Sequence, residues 1–418
     1  MDVDVDTDVD TDVDTDADSD MDTDVDVDTD VDTDVDTDTD TEPCAAPDAD
    51  HDGFDRPECG GDDCDDADPD VHPGAADPPA APWSFETVDT SGVTGLYTAL
   101  AADDAGAAHV AYFDATRQQL RYAKREGARW TLEDLADPAF IAYLSLALSA
   151  DGTPHVTFSD ASGLHHAGRG ADGWRVDLVG TGSQNDAAVD ADGLVHIAFY
   201  DNVAGRGGGL LHAMGDGADW DIETVDARGR TDTGVDPSIV IEEDGTIQIT
   251  YNWNTRGELM RAHGRFGDWS VERVDGARRC GIRSSVAVDR SGTVHVSYVA
   301  YAGADEDLMY AHGGDLGWAT EILDTRGLTG QSTSLDVDAR GRVHIASPDW
   351  ENDELRYATE WDGVWSLETV DADHTGWYPS LDIAGGEMHV SYQDVGRGDL
   401  RYAHRRVPVD EDCDGVDE

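Results

Sequence analysis

The chain has 418 residues and a formal net charge of −65, with 92 Asp and Glu against 27 Lys and Arg. Phosphate binding needs clustered Lys and Arg, so this balance argues against a nucleic-acid partner and makes cations the natural counter-partners. No apolar run approaches the roughly 20 residues that a membrane span needs.

In residues 1–42 Asp occupies every even position from Asp2 to Asp40, alternating mainly with Val and Thr; the segment holds 21 acids and no base. Strict alternation normally signals a strand, but here one face would be a row of carboxylates about 6–7 Å apart. With no aromatic residue to bury, the expectation is a disordered, self-extending acidic spacer. The start, Met1-Asp-Val-Asp, shows neither a basic n-region nor an apolar h-region, so no secretory signal is visible in this sequence.

Residues 43–82 hold 12 acids and one base, Arg56. Asp48, Asp50 and Asp52 precede Gly53 in the D-x-D-x-D-G start of a calcium loop. Hard oxygen ligands at alternate positions wrap a cation there, and the Gly allows the turn between them. The twelfth position is Cys59 rather than a bidentate Glu, and no helical pattern flanks the loop, so it departs from an EF-hand. Asp62, Asp63, Asp65, Asp66 and Asp68 form a second acidic cluster. Of the five cysteines, Cys44, Cys59 and Cys64 lie in this segment, Cys413 lies in the tail and Cys280 alone lies between. Clustered Cys in an Asp-rich segment with little to bury read as a disulfide staple, hence export to the cell surface or beyond, with the leader missing from this sequence.

From Trp83 to Arg406 a phrase of about 47 residues recurs seven times. Its opening Trp stands at Trp83, Trp130, Trp174, Trp220, Trp269, Trp318 and Trp365, with gaps of 47, 44, 46, 49, 49 and 47 residues. Each unit holds four strand-like pieces. A short small-apolar piece such as Val286-Ala-Val ends in an Asp-x-x-Gly turn, as at Asp289 to Gly292. A His-apolar-x-aromatic piece follows, as at His295 to Tyr298. Then come Leu-x-Tyr-Ala, as at Leu355 to Ala358, and Trp-x-x-Glu-x-Val, as at Trp269 to Val274. The period and strand count predict an all-β, seven-bladed β-propeller over residues 83–406. The chain starts on a lone fourth strand, Trp83 to Val88, and its last unit stops after three strands at His404. The N-terminal strand is therefore expected to complete the last blade and close the ring, bringing Pro82 and Val407 near one another. On that geometry Cys413 is expected to bond to Cys59 or Cys64.

The interblade loops and the loops after the second strands share one face of a propeller. Tyr97, Tyr143, Trp377 and Tyr378 precede first strands; Trp253, Tyr301 and Trp350 follow second strands. So do the carboxylates Asp114, Asp160, Asp201, Asp349 and Asp394. Aromatic rings that stack on C–H faces, beside carboxylates that accept hydroxyl hydrogen bonds, suit sugars. Each Asp is also a favoured turn residue able to cap its own loop. The His that recurs in six units, replaced by Gln248 in the fourth, lies on a strand that is not innermost and is expected to be structural. The seven Trp residues are expected to be packing residues.

Catalysis should break the repeat symmetry with unlike residues converging on one pocket. No G-x-S-x-G, H-E-x-x-H or P-loop pattern occurs. The Asp-x-x-Gly turns faintly resemble the Asp-boxes of sialidases, but a His stands where that pattern has Trp. Arg278, Arg279 and Arg283 lie together in one interblade loop. The sequence thus points to a non-enzymatic binding propeller for a glycan or surface polymer, with a sialidase-like glycan-cleaving enzyme and a protein-interaction scaffold as alternatives.

Two resemblances add to this. The Trp, His-x-x-Tyr and Leu-x-Tyr-Ala phrases resemble those of bacterial seven-bladed lectin-like propellers, which implies the fold more than the ligand. Asp48 to Gly53, followed by Cys64-Asp-Asp-Ala-Asp-Pro-Asp-Val-His-Pro-Gly-Ala75, resembles the metal-binding motif of secreted myxobacterial proteins and of copper-binding MopE-type surface proteins. In that family a Cys-Asp-Gly segment ending in Asp-Glu follows directly. Here it reappears only in the acidic tail, residues 407–418, as Asp412-Cys413-Asp414-Gly415-Val416-Asp417-Glu418. The propeller looks inserted into the motif. The resemblance implies cation binding outside the cell. His51 and His72 offer copper ligands, but so many carboxylates favour Ca²⁺.

Overall fold

The computed structural model describes residues 81–201, 207–229, 231–276, 279–302, 305–329, 332–361 and 363–407. The acidic spacer, the Asp/Cys segment and the tail from 408 lie outside the described residues. Those described form seven four-stranded antiparallel sheets. Blades 1 to 6 cover residues 96–136, 142–180, 183–226, 235–275, 279–324 and 334–371, each with its strands in chain order from the axis outward. Blade 7 combines three strands from residues 377–406 with Ser84–Asp89 as its outer strand. Ser84 pairs with His404, Glu86 with Tyr402 and Asp89 with Leu400. The ring therefore closes as the strand count requires. Trp83 and Val407 pack against the same apolar cluster, so both flanks leave the propeller from one place.

The core is divided between the blades. Each of seven buried clusters draws residues from two neighbouring sheets, as where Val88, Leu400 and Tyr402 meet Val110 and Tyr112. Polar staples repeat beside them. The opening Trp of one blade donates its indole N–H to the Glu three residues after the Trp of the blade before: Trp130 to Glu86 (2.6 Å), Trp174 to Glu133 (3.1 Å), Trp269 to Glu223 (2.9 Å), Trp318 to Glu272, Trp365 to Glu321 and Trp83 to Glu368 (each 3.0 Å). The second-strand tyrosines Tyr112, Tyr251, Tyr298 and Tyr392 donate to Asp89, Asp226, Asp275 and Asp371 at the end of the preceding outer strand. Buried hydroxyls and indoles of this kind need such acceptors.

The repeated His is structural, as expected. In blades 1, 5, 6 and 7 its Nδ1 meets a third-strand tyrosine hydroxyl at 2.5–2.6 Å: His109 with Tyr122, His295 with Tyr310, His344 with Tyr357 and His389 with Tyr402. In blades 2 and 3 that Tyr is itself a His, giving His155···His166 and His196···His212 contacts of 3.0 Å. Gln248 in blade 4 accepts instead from Arg261 at 2.7 Å.

Candidate functional site

The first strand of every blade faces a central channel, and six of the seven enter their sheet through a register shift, at 96/99, 142/144, 183/185, 235/238, 282/285 and 377/380. At each entry one non-glycine residue sits in the left-handed region: Tyr97, Tyr143, Gln184, Asp236, Arg283 and Tyr378, with φ between 49 and 60°, and Ser332 (φ 91°) at the matching place in blade 6. A bulge re-aims the side chain it carries. A left-handed non-glycine residue costs on the order of 1–3 kcal/mol and clusters at ligand sites. These seven side chains, one per blade, form a ring of unlike residues around the channel mouth. Here the sevenfold repeat loses its symmetry.

The ring is interlocked. Tyr97 and Tyr378 rings lie 4.8 Å apart. Gln184 donates to the Tyr143 hydroxyl (2.7 Å) and accepts from the Asp236 backbone N–H (3.2 Å). The Arg283 guanidinium lies 5.8 Å from the Trp350 ring centroid, and Trp350 stacks on Trp377 at 4.8 Å. Together with the inner strands these residues enclose a cavity of about 510 Å³, within the range of small-ligand sites. Two residues deeper, small polar residues tie the inner strands together. Ser145, Ser238, Ser285, Ser334 and Ser380 each accept a backbone N–H from a neighbouring inner strand. Asp186 takes hydroxyls from Ser145 and Ser238 and the N–H of Ala187 and Ile239.

Two polar atoms at the mouth are left over. Asp236 Oδ1 and the Trp350 indole Nε1 are buried and have no hydrogen-bond partner. Burial pushes the Asp236 carboxyl above the usual range, with the nearby Arg283 charge, the Arg283 backbone N–H and the Tyr143 hydroxyl pulling the other way. Burial likewise raises Tyr143 and Tyr378. An orphaned buried donor or acceptor costs about 1–3 kcal/mol, so the mouth holds one unmet acceptor and one unmet donor beside three tyrosines.

The structure distributes the sequence candidates unequally. Tyr97, Tyr143, Trp350 and Tyr378 line the cavity. Tyr97, Tyr143, Trp377 and Tyr378 lie within the inner strands rather than before them, and Trp253 and Tyr301 lie within second strands. Trp377 backs Trp350 and donates to Asp353 (3.3 Å). The Trp253 ring is covered by Arg228 at 4.2 Å and Arg256 at 4.4 Å, which closes it to a sugar face. The Tyr301 ring lies 5.6 Å from Arg279. Asp114, Asp160, Asp349 and Asp394 turn into their own loops and accept backbone N–H groups of Thr116, Ser162, Glu351 and Arg397. Burial raises the Asp201 carboxyl. Arg279 and Arg283 lie inside the first strand of blade 5, Arg279–Val288, rather than in a loop; Arg278 falls outside the described residues. Gln184, Asp236, Arg283 and Ser332 were not among the sequence candidates. Their signal was positional: each stands two residues before the channel-facing Asp or Ser of its strand.

The carboxylates Asp48, Asp50, Asp52, Asp62, Asp63, Asp65, Asp66 and Asp68, and Cys44, Cys59, Cys64 and Cys413, lie outside the described residues. Cys280, among the described residues, is buried, with its Sγ 3.7 Å from the Gly257 carbonyl and 3.6 Å from the Asp275 carbonyl. No group of three or more metal-ligating side chains occurs among the described residues, and no described helix is long and apolar enough to cross a membrane.

Fold and mouth together define a seven-bladed β-propeller with one asymmetric pocket on its axis. No protein-family model matches the sequence, and the search of curated proteins finds no relative. Similar solved structures include a polysaccharide lyase (TM-score 0.52, 9% identity, covering 74% of this chain and 89% of that one). They also include a mutant of the Aleuria aurantia lectin in complex with alpha-methyl-L-fucoside (TM-score 0.47, 16% identity, 69% and 98%) and a Hadza microbial sialidase (TM-score 0.48, 11% identity, 69% and 74%). At these identities the likeness is one of fold.

Proposed function

We propose that the chain is an exported, non-enzymatic propeller that binds carbohydrate, a glycan or surface polymer, at the channel mouth. The observation that carries this reading is the cavity lined by Tyr97, Tyr143 and Tyr378, whose lining residues Asp236 and Trp350 also hold a buried, unmet acceptor and donor, Oδ1 and Nε1. A sugar hydroxyl both donates and accepts, so a sugar that reaches either atom can satisfy it while its C–H face lies against a ring. Binding rather than cleavage is favoured because most glycoside hydrolysis uses two carboxyl groups flanking one bond, while a sialidase-like site, which can use a Tyr nucleophile, would need several arginines converging on the substrate carboxylate where the ring carries Arg283. The ring presents Asp236 alone, and the next carboxylate inward, Asp186, is held by Ser145, Ser238 and two backbone N–H groups.

The test is a glycan array followed by titration calorimetry on the sugars retained. Asp236→Asn swaps the carboxylate for an amide of equal size and Trp350→Phe removes the indole N–H together with one ring; each is expected to weaken binding about tenfold, the equivalent of about 1.4 kcal/mol. Unchanged affinity in both variants overturns the site. Turnover of a retained glycan replaces this reading with the glycan-cleaving one. We assign Ca²⁺, ahead of copper, to the Asp/Cys flank on ligand type and spacing. Calorimetry with Ca²⁺ on the full chain after EDTA treatment should give a binding isotherm that a chain lacking residues 43–82 does not.

A further inference from the structure

On the same face a second feature runs from the mouth toward the rim. In blades 4, 5 and 6 an aromatic residue stands at the end of the second strand or one residue to either side of it: Trp253, Tyr301 and Trp350; blades 1 and 3 also place one there, Phe113 and Tyr200, one residue before the closing Asp. Blades 1, 2, 3 and 7 continue past their Asp with Ala115, Ala161, Asn202 and Val395. Each of the three rings carries a guanidinium: Arg256 on Trp253 at 4.4 Å, Arg279 on Tyr301 at 5.6 Å and Arg283 on Trp350 at 5.8 Å. The units are physically joined. Gly257, next to Arg256, holds φ +67°, and a Cβ there would come 2.8 Å from Arg279 Cγ. The Gly257 carbonyl accepts the Cys280 N–H at 3.0 Å.

A guanidinium laid on an aromatic face loses rotational freedom, which prepares it for bidentate contact with a planar anion. Arg256 is 60% exposed and lies 3.9 Å from Glu258, a loose pair. Arg279 is also exposed. Arg228, on the far side of Trp253, is already held by Asp226 at 2.9 Å and acts as a backing plate. In a chain with only 27 basic residues, three arginines from blades 4 and 5 lie on aromatic rings of three consecutive blades and form an arc.

We propose that this arc supplies anion subsites that extend the mouth pocket, and that the ligand is an acidic polysaccharide bearing carboxylate or sulfate groups on successive sugars. The inference rests on the mouth reading for its first sugar only. Arg283 takes the anion nearest the mouth, and Arg279 and Arg256 take those farther out.

The test measures the affinity of the full chain for galacturonate oligomers of one and six sugars, for sulfated dextran, and for neutral dextran oligomers, at two salt concentrations. The expected result is at least a tenfold gain from one to six galacturonates or for sulfated dextran, falling as salt rises, with no such gain for neutral dextran. The double variant Arg256→Ala/Arg279→Ala, checked by thermal melt for an intact fold, should bring the hexamer-to-monomer ratio close to one. A neutral oligomer gaining as much as the acidic one overturns the proposal, as does no binding of either acidic probe. A single-stranded oligonucleotide binding as tightly as sulfated dextran overturns the assignment to polysaccharide. Monomer binding that depends on Asp236 without any length or charge effect sinks the arc and leaves the mouth. Long-chain binding lost in the arginine variant but indifferent to Asp236→Asn and Trp350→Phe keeps the arc and sinks the mouth.

Discussion

One interblade staple is missing, and restoring it should stabilise the ring. Six of the seven opening tryptophans donate to a Glu on the preceding blade, while the buried Trp220 Nε1 has no partner. The residue three after Trp174, where the acceptor belongs, is Asp177, one methylene shorter than Glu. Asp177 instead pairs with the exposed Arg175 at 2.9 Å. A buried N–H without an acceptor costs about 1–3 kcal/mol, and an exposed ion pair returns at most about 1 kcal/mol. Asp177→Glu should therefore gain about 1 kcal/mol, raising the melting temperature by about 2 °C for a domain of this size. The converse change, Glu133→Asp, strips the acceptor from Trp174 and loosens Arg169, and should cost at least as much. Trp220→Phe and Trp269→Phe both lose ring packing, but only the second leaves Glu223 without its indole, so Trp220→Phe should cost clearly less. Differential scanning calorimetry of the four variants decides the matter. An Asp177→Glu protein melting at or below the parent temperature refutes the reasoning.

Two further predictions follow from the ring and its histidines. Deleting residues 1–89 uncovers the edge of Asp399–Arg406 and leaves Tyr112, Arg121, Arg125 and Trp130 without Asp89 and Glu86; the truncated chain should melt at lower temperature and less cooperatively, and an unchanged calorimetric transition would contradict closure by that strand. Burial, then the neighbouring histidine, pulls His166 and His212 down to about 4. A histidine whose folded value is depressed resists protonation in the native state, so its stabilising share is complete above about pH 6.5 and is lost as pH falls toward 4, at about 3 kcal/mol for each group fully protonated. His166→Tyr, which restores the residue of blades 1, 5, 6 and 7, should flatten the decline of melting temperature between pH 6.5 and 4. A parallel decline in parent and variant would count against the pairing.

The sequence disclosed the architecture because packing residues repeat. The Trp, the His-x-x-aromatic phrase and Leu-x-Tyr-Ala fill equivalent interblade positions, so their period survives divergence elsewhere. The closing strand followed from counting pieces. The mouth was only half legible. Tyr97, Tyr143, Trp350 and Tyr378 stood out as aromatics on the right face, but the left-handed positions themselves are not glycines; the glycine that stands two residues before six of the seven was their sequence mark. Gln184, Asp236 and Ser332 look like ordinary loop residues until their backbone is seen. Asp114, Asp160, Asp349 and Asp394 were ambiguous for a physical reason: a carboxylate able to receive a sugar hydroxyl can equally receive its own turn's N–H groups. Arg279 and Arg283 looked isolated because their partners, Tyr301 and Trp350, lie about 20 and 70 residues downstream.

The measurement closest to the central claim is a hydrogen-exchange footprint of the full chain with and without a retained glycan. The account predicts protection concentrated at the seven inner-strand entries, around Tyr97, Tyr143, Gln184, Asp236, Arg283, Ser332 and Tyr378. Protection confined to the outer grooves between blades, such as the one lined by Lys124 and Arg169, with the entries unchanged, would contradict it.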